Sequence, residues 1–130
     1  MRTESRRLRA VICDDDATVR RVVTTLAEEA GFDVVGEAAM ALDALHLVEL
    51  TRPHVVVLDL SMMGMSGSEV IAPMKAAAPG IAVIVYTAFD TMVDLAADQG
   101  VFAVVGKDEP GKLDDALRRV AGDQRFPPLP

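Results

Sequence analysis

Cysteine and histidine are scarce in this 130-residue chain: one of the first, Cys13, and two of the second, His46 and His54. A single thiol excludes an internal disulfide and fits a reducing cytoplasm. Cys13 sits inside an apolar run, where packing is its expected role. An excess of positive charge is missing too. The net charge of −7 disfavours general nucleic-acid binding, in which basic groups must displace counterions from phosphates. Long hydrophobic runs are lacking: each is a handful of residues, against the roughly 20 needed to cross a bilayer. The basic start (Arg2, Arg6, Arg7, Arg9) leads into only a short one, unlike a secretory signal. Internal repeats and low-complexity tracts are lacking as well. The expectation is one cytoplasmic domain, large enough to bury a core, with no membrane contact.

What is present is an alternation of apolar runs and helical patterns, which predicts strand–helix units around a parallel sheet. A first strand is expected over 8–13. Asp16 can then cap a helix reaching about residue 30, with Val19, Val22, Val23 and Leu26 on its apolar face and Gly31 as its stop. A second strand, over 32–35, is interrupted by polar residues and so reads as a sheet edge. A helix over 41–50 presents Leu42, Leu45 and Val48 to the core. Pro53 precedes a strand over 54–58. A helix over 68–77 contains Pro73, which removes one backbone hydrogen bond and predicts a kink or a short helix. Strands follow over 81–87 and 101–105, with helices over 91–99 and 112–121. Three of the strands are apolar at consecutive positions, as expected where helices cover both faces. Residues 1–7 read as a tail, 8–122 as the domain, and 123–130 as a Pro-rich tail or the start of a linker. The pairs Arg20-Arg21 and Arg118-Arg119 read as solvated surface, as do His46 and His54 unless they have structural roles.

The polar residues closing the runs carry the chemistry. Asp14 and Asp15 end the first, Asp59 the third, Thr87 the fourth and Lys107 the fifth. In an open parallel sheet, ligands bind beyond the carboxyl ends of the strands, where strand order reverses. Three aspartates meeting there repel strongly: two carboxylates about 4 Å apart cost roughly 4 kcal/mol at an effective dielectric near 20. One lysine is too little compensation, so a divalent cation is expected. Oxygen-only ligands favour Mg2+, with Mn2+ as the alternative, over zinc. Asp59 is then the candidate nucleophile, since a carboxylate can accept a phosphoryl group. Thr87 can donate a hydrogen bond to one phosphoryl oxygen and Lys107 can neutralise another.

The segments "VICDDD", "PHVVVLDLSMMGMSG", "YTA" and "GKDEP" occur in the order and spacing of a known family. Over about residues 9–122 the chain resembles the receiver domain of bacterial two-component response regulators. "GFDVVGEAA" and "GKDEP" look most like the subgroup that often carries a helix-turn-helix output domain. The resemblance implies a flavodoxin-like, doubly wound (βα)5 fold with strand order 2-1-3-4-5. It implies that Asp59 takes phosphate from a histidine kinase or phosphotransfer protein. Asp15 would hold Mg2+ directly, Asp14 largely through water, and the backbone carbonyl of Ser61 would add a ligand. Thr87 and Lys107 would sense the phosphate and reshape the face formed by the fourth helix, fifth strand and fifth helix. That face would contact a downstream target, an output domain or a second copy of the chain. Two architectures stay open: a free-standing regulator, or the receiver of a longer one.

Some positions depart from the family pattern. Met63 stands where proline is usual, four residues after Asp59, and Ser66 replaces an aspartate or asparagine. Val104 takes the place of an inward-swinging aromatic. Phe102, two residues earlier, is expected on the same side of the strand. Thr87 and Lys107 are also about two residues closer than is usual. Met62, Met63 and Met65 read equally as adaptable contact surface or loop packing. Gly64 and Gly67 do not make a phosphate-cradling loop. A haloacid-dehalogenase-like phosphatase would need an aspartate two residues after Asp59, where Ser61 stands, so an enzyme acting on outside substrates is not expected. A receiver-shaped interaction module that signals without phosphate remains the alternative.

Overall fold

The computed structural model describes residues 7–60, 67–88 and 100–123. Five parallel strands form one sheet: β1 (Leu8–Cys13), β2 (Phe32–Ala38), β3 (Val55–Leu58), β4 (Ala82–Thr87) and β5 (Ala103–Gly106). Their order across the sheet is β2-β1-β3-β4-β5, so strand order reverses beside β1 and β3. Four helices are described: α1 (Ala17–Glu29), α2 (Ala41–Thr51), α3 (Gly67–Ala77) and α4 (Pro110–Gly122). The helix expected over 91–99 and both chain termini lie outside the described residues. The topology is the doubly wound, flavodoxin-like one.

Two apolar layers hold the helices against the sheet. One joins Val11, Cys13, Val56, Leu58, Val83 and Val85 to α2 and α3. The other joins Ala10, Ile12, Val55, Val57, Ile84, Tyr86 and Val105 to α1 and α4. Every residue of β3 and β4 is buried, because strands covered on both faces have no polar side to spare. α1 starts where Asp16 accepts hydrogen bonds from the N–H groups of Thr18 (2.8 Å) and Val19 (3.2 Å). Gly31, at φ 105°, turns the chain from α1 into β2. α3 runs through Pro73 across 11 residues.

Two expected helix faces need correction. Val22 and Leu42 are each 46% exposed, while Val23, Ala27, Ala41, Ala44 and Val48 make the buried contacts. The alanines let helix backbones approach the sheet closely, which larger side chains would prevent. The strand expected over 32–35 also extends further. β2 pairs with β1 up to Cys13↔Ala38, after a bulge that leaves Val35 without an opposite residue. β2 lies at the sheet edge, as its polar interruption implies.

Candidate functional site

β1 and β3 are hydrogen-bonded neighbours whose last residues, Cys13 and Leu58, lie side by side. The next residue of each strand is an aspartate, so adjacency in the sheet brings Asp14 and Asp59 together. Main-chain bonds fix both: Asp14 N–H donates to the Ala38 carbonyl, and Asp59 N–H to that of Cys13, each at 3.0 Å. Asp14 and Asp59 are 3% and 1% exposed, whereas Asp15 faces solvent. One carboxylate oxygen from each of the three lies within 4.8 Å of the others.

Lys107 arrives from the far side of the sheet. Its N–H donates to the Thr87 carbonyl at 3.0 Å, continuing the β4–β5 ladder by one residue. Its ammonium then spans both buried carboxylates, with Nζ 2.8 Å from Oδ2 of Asp14 and 2.9 Å from Oδ2 of Asp59. Thr87 is buried at the end of β4. With Ala88, Gly106, Lys107 and Asp108 it lines a cleft of about 170 Å3.

The ionisation behaviour of this pair pulls in two directions. Burial holds the Asp14 carboxyl above its ordinary range, against the hydrogen bonds from Lys107 and the Asp16 N–H. Burial acts to lower the Lys107 ammonium, yet Asp14 and Asp59 together raise it. Burial outweighs those bonds at Asp14, and one cation serves two buried carboxylates, so the lysine gains two partners while Asp14 shares one. Asp59 adds to the repulsion on Asp14. Cys13, beneath them, is pushed up to about 12 by burial and then by Asp14 and Asp59.

Asp14, Asp15, Asp59, Thr87 and Lys107 thus converge at one end of the sheet, as expected. Ser61, Met62, Met63, Met65 and Ser66 lie outside the described residues. Phe102 corrects the sequence reading. It precedes β5, outside the strand's alternation, and packs in the α1–α4 layer with the Arg119 guanidinium 5.4 Å from its ring centroid. Val104 packs in the opposite layer. Arg20 is a second correction. Far from being plain solvated surface, its side chain is 21% exposed and donates from Nη1 to the Asp14 carbonyl at 2.7 Å. The helix pattern gives no hint of this contact, because the acceptor is main chain.

Known proteins resemble this chain in sequence and in fold. Residues 10–118 match the family described as the response regulator receiver domain. A transcriptional regulatory protein of Mycobacterium tuberculosis, PdtaR, is 32% identical over 103 residues, which are 76% of this chain and 49% of that protein. The chain spans about half the length of the curated relatives it matches. A DNA-binding response regulator of the LuxR family from Staphylococcus aureus superposes with a TM-score of 0.79 at 30% identity, covering 87% of this chain and 98% of that one. A two-component response regulator of the same family from Aurantimonas sp. SI85-9A1 gives 0.81 at 29%, covering 89% and 86%. With the sheet order, the acidic cup and the lysine already in place, these likenesses lead to one conclusion: the chain belongs to the response regulator receiver domain family of two-component signalling.

Proposed function

We propose that this receiver takes a phosphoryl group onto Asp59 from a histidine kinase or phosphotransfer protein, with Mg2+ held beside it. The observation that carries the reading is the imbalance at the cup. Two buried carboxylates share one ammonium, a third lies beside them, and one oxygen from each is close enough for a single ion. A purely structural cluster would be expected to balance its charges or replace an aspartate by asparagine. The donor set is all oxygen with an exposed member, which fits Mg2+, or Mn2+, retaining several waters. Asp14, Asp15 and Asp59 would hold the ion, with the carbonyl of Ser61 as a further ligand. When bound, the ion neutralises charge on the oxygens of the transferring group.

The chain's own residues account for the rest. A carboxylate oxygen of Asp59 attacks phosphorus; the P–N bond to the donor imidazole breaks as the P–O bond forms. The imidazole nitrogen keeps the bonding electron pair. Lys107, already bound to Asp59, stays beside the transferred group and balances its charge. Thr87, across the cleft from Lys107, donates to a phosphoryl oxygen and so couples the phosphate to the end of β4. The switched surface is the one around β5, where Ala103, Val104, Val105, Lys112, Asp115, Arg118 and Arg119 line a cleft of about 630 Å3. It would meet a downstream protein, an output domain or a second copy. The receiver unit is 8–122, with 1–7 as an N-terminal tail and 123–130 as a Pro-rich tail or the start of a linker. It catalyses only its own phosphorylation and dephosphorylation, binds no nucleic acid itself and works in the cytoplasm. No helix among the described residues is long and apolar enough to cross a membrane.

Incubation with Mg2+ and acetyl phosphate tests the reading: one phosphate is added by mass, and Asp59→Asn takes up none. Equal uptake by the variant would overturn it. One observation favours a second reading, an interaction module that signals without phosphate. Val104 offers no aromatic ring to swing inward, and Phe102 is committed to the other layer. Partner binding that is the same for wild type and Asp59→Asn, whether or not acetyl phosphate is supplied, would select this second reading.

A further inference from the structure

The bulge in β2 has a directional effect on side chains. Before it, Phe32 and Val34 pack toward α1 and α4. In unbroken alternation Gly36 would follow them and Glu37 would face α2 and α3. With Val35 unpaired, Gly36 instead stands opposite Val11 and Glu37 opposite Ile12. Gly36 now faces α2, where an added Cβ would come within 2.9 Å of both methyl carbons of Leu47. Glu37 is re-aimed to the α1 side, as bulges beside functional sites commonly do. There its Oε1 lies 3.5 Å from Nε of Arg20.

Arg20 connects this carboxylate to the acidic cup. Nη1 donates at 2.7 Å to the carbonyl oxygen of Asp14, the peptide that joins Asp14 to Asp15. The N–H side of Asp14 is already fixed by the Ala38 carbonyl, one residue beyond Glu37. Two successive peptide planes are therefore held, Cys13–Asp14 by main chain from β2 and Asp14–Asp15 by a guanidinium that β2 itself orients. The second plane sets where the exposed Asp15 carboxylate can reach.

We propose that Arg20, oriented by Glu37, is a positioning residue for the divalent-ion site: it aims Asp15 through the Asp14 carbonyl. The inference rests on the Mg2+ reading of the cup and deepens it. Charge and positioning make opposite demands, which is what allows a test. Arg20 is a cation beside a cation site, so by charge alone its removal would tighten Mg2+ binding. As a positioning residue its removal weakens binding, and partners behind metal ligands commonly matter by a factor of roughly ten or more.

Mg2+ affinity is measured by calorimetry on the whole chain for wild type, Arg20→Ala, Arg20→Lys and Glu37→Gln, well below each melting temperature. The expected result is affinity about tenfold weaker in Arg20→Ala. Arg20→Lys keeps the charge but not the two-armed geometry and should also weaken binding. Glu37→Gln should weaken it less, despite removing a nearby anion. With acetyl phosphate, Arg20→Ala should need more Mg2+ for half-maximal phosphorylation, yet recover the wild-type rate at saturation. Unchanged or tighter binding by Arg20→Ala overturns the proposal. So does a lowered saturating rate with the half-maximal Mg2+ concentration unmoved. If the wild-type chain itself binds no Mg2+, the reading of the cup has failed instead, a separate and recognisable outcome.

Discussion

The hydroxyl of Tyr86 donates to the backbone carbonyl of Lys107 at 3.3 Å. Its neighbour Thr87 accepts the N–H of the same lysine through its own carbonyl. Two consecutive residues of β4 thus hold one residue of the next loop, and that residue's ammonium closes the acidic cup. Tyr86→Phe keeps the ring that packs in the α1–α4 layer and removes only the hydroxyl. The expected cost is about 1 kcal/mol, the usual net worth of one such bond. Phosphorylation by acetyl phosphate should slow as Lys107 loosens. An unchanged rate in a variant with lowered stability would separate the loop anchor from the chemistry.

Crowding of the carboxylates predicts opposite effects for two other substitutions. Asp15 lies within 4.8 Å of the other carboxylates and is exposed. In the metal-free protein it mainly adds repulsion, which solvent reduces to about 1 kcal/mol or less. Asp15→Asn should therefore raise the melting temperature without divalent ions while weakening Mg2+ binding. Lys107→Ala should do the reverse, because it strands two buried carboxylates. Removing one partner of a buried ion pair costs about 3 kcal/mol or more, and added Mg2+ should restore part of that. Thermal melts with chelator and with Mg2+ decide; an Asp15→Asn protein less stable than wild type in chelator contradicts the account.

The cup was legible because its members end uninterrupted apolar runs, and a parallel sheet gathers strand ends at one edge. Asp14, Asp59, Thr87 and Lys107 needed only strand order to meet. What hid from the sequence depends on parity and on small residues. The bulge at Val35 turns Glu37 to the other face, so nothing in the alternation of β2 links it to Arg20. Phe102 stands just before β5 begins and escapes the alternation that was expected to align it with Val104. Val22 and Leu42 fit helical stripes by spacing, yet close packing against the sheet selected Ala27, Ala41 and Ala44.

At the opposite end of the sheet, His54 predicts acid sensitivity unrelated to the cup. Its Nδ1 accepts the N–H of Arg9 at 3.0 Å, so that nitrogen must carry no proton. Burial, and then the Arg9 charge, hold the imidazole below its ordinary value. The unfolded chain therefore binds the proton more readily than the fold does. The stability His54 contributes is complete above its unfolded value of about 6.5, and is lost as pH falls through the lowered folded value. Urea midpoints compared at pH about 7.5 and about 5 should drop for wild type, and His54→Gln should shrink the drop. An identical drop in both proteins would assign the acid sensitivity elsewhere.

Cys13 predicts a chemical silence that ends on unfolding. The thiolate is the reactive form, and burial together with the charges of Asp14 and Asp59 pushes this thiol up to about 12. At pH about 8 the thiolate fraction should then fall on the order of a thousandfold below that of a free cysteine. The side chain is 1% exposed, so a reagent must also wait for the sheet to open. Native protein should resist iodoacetamide, whereas protein in denaturant should add one label by mass. Because labelling reports opening near the cup, Mg2+ should slow it further, by stabilising the closed state that binds the ion. Rapid labelling of native protein, indifferent to Mg2+, would mean that the end of β1 opens independently of the site it supports.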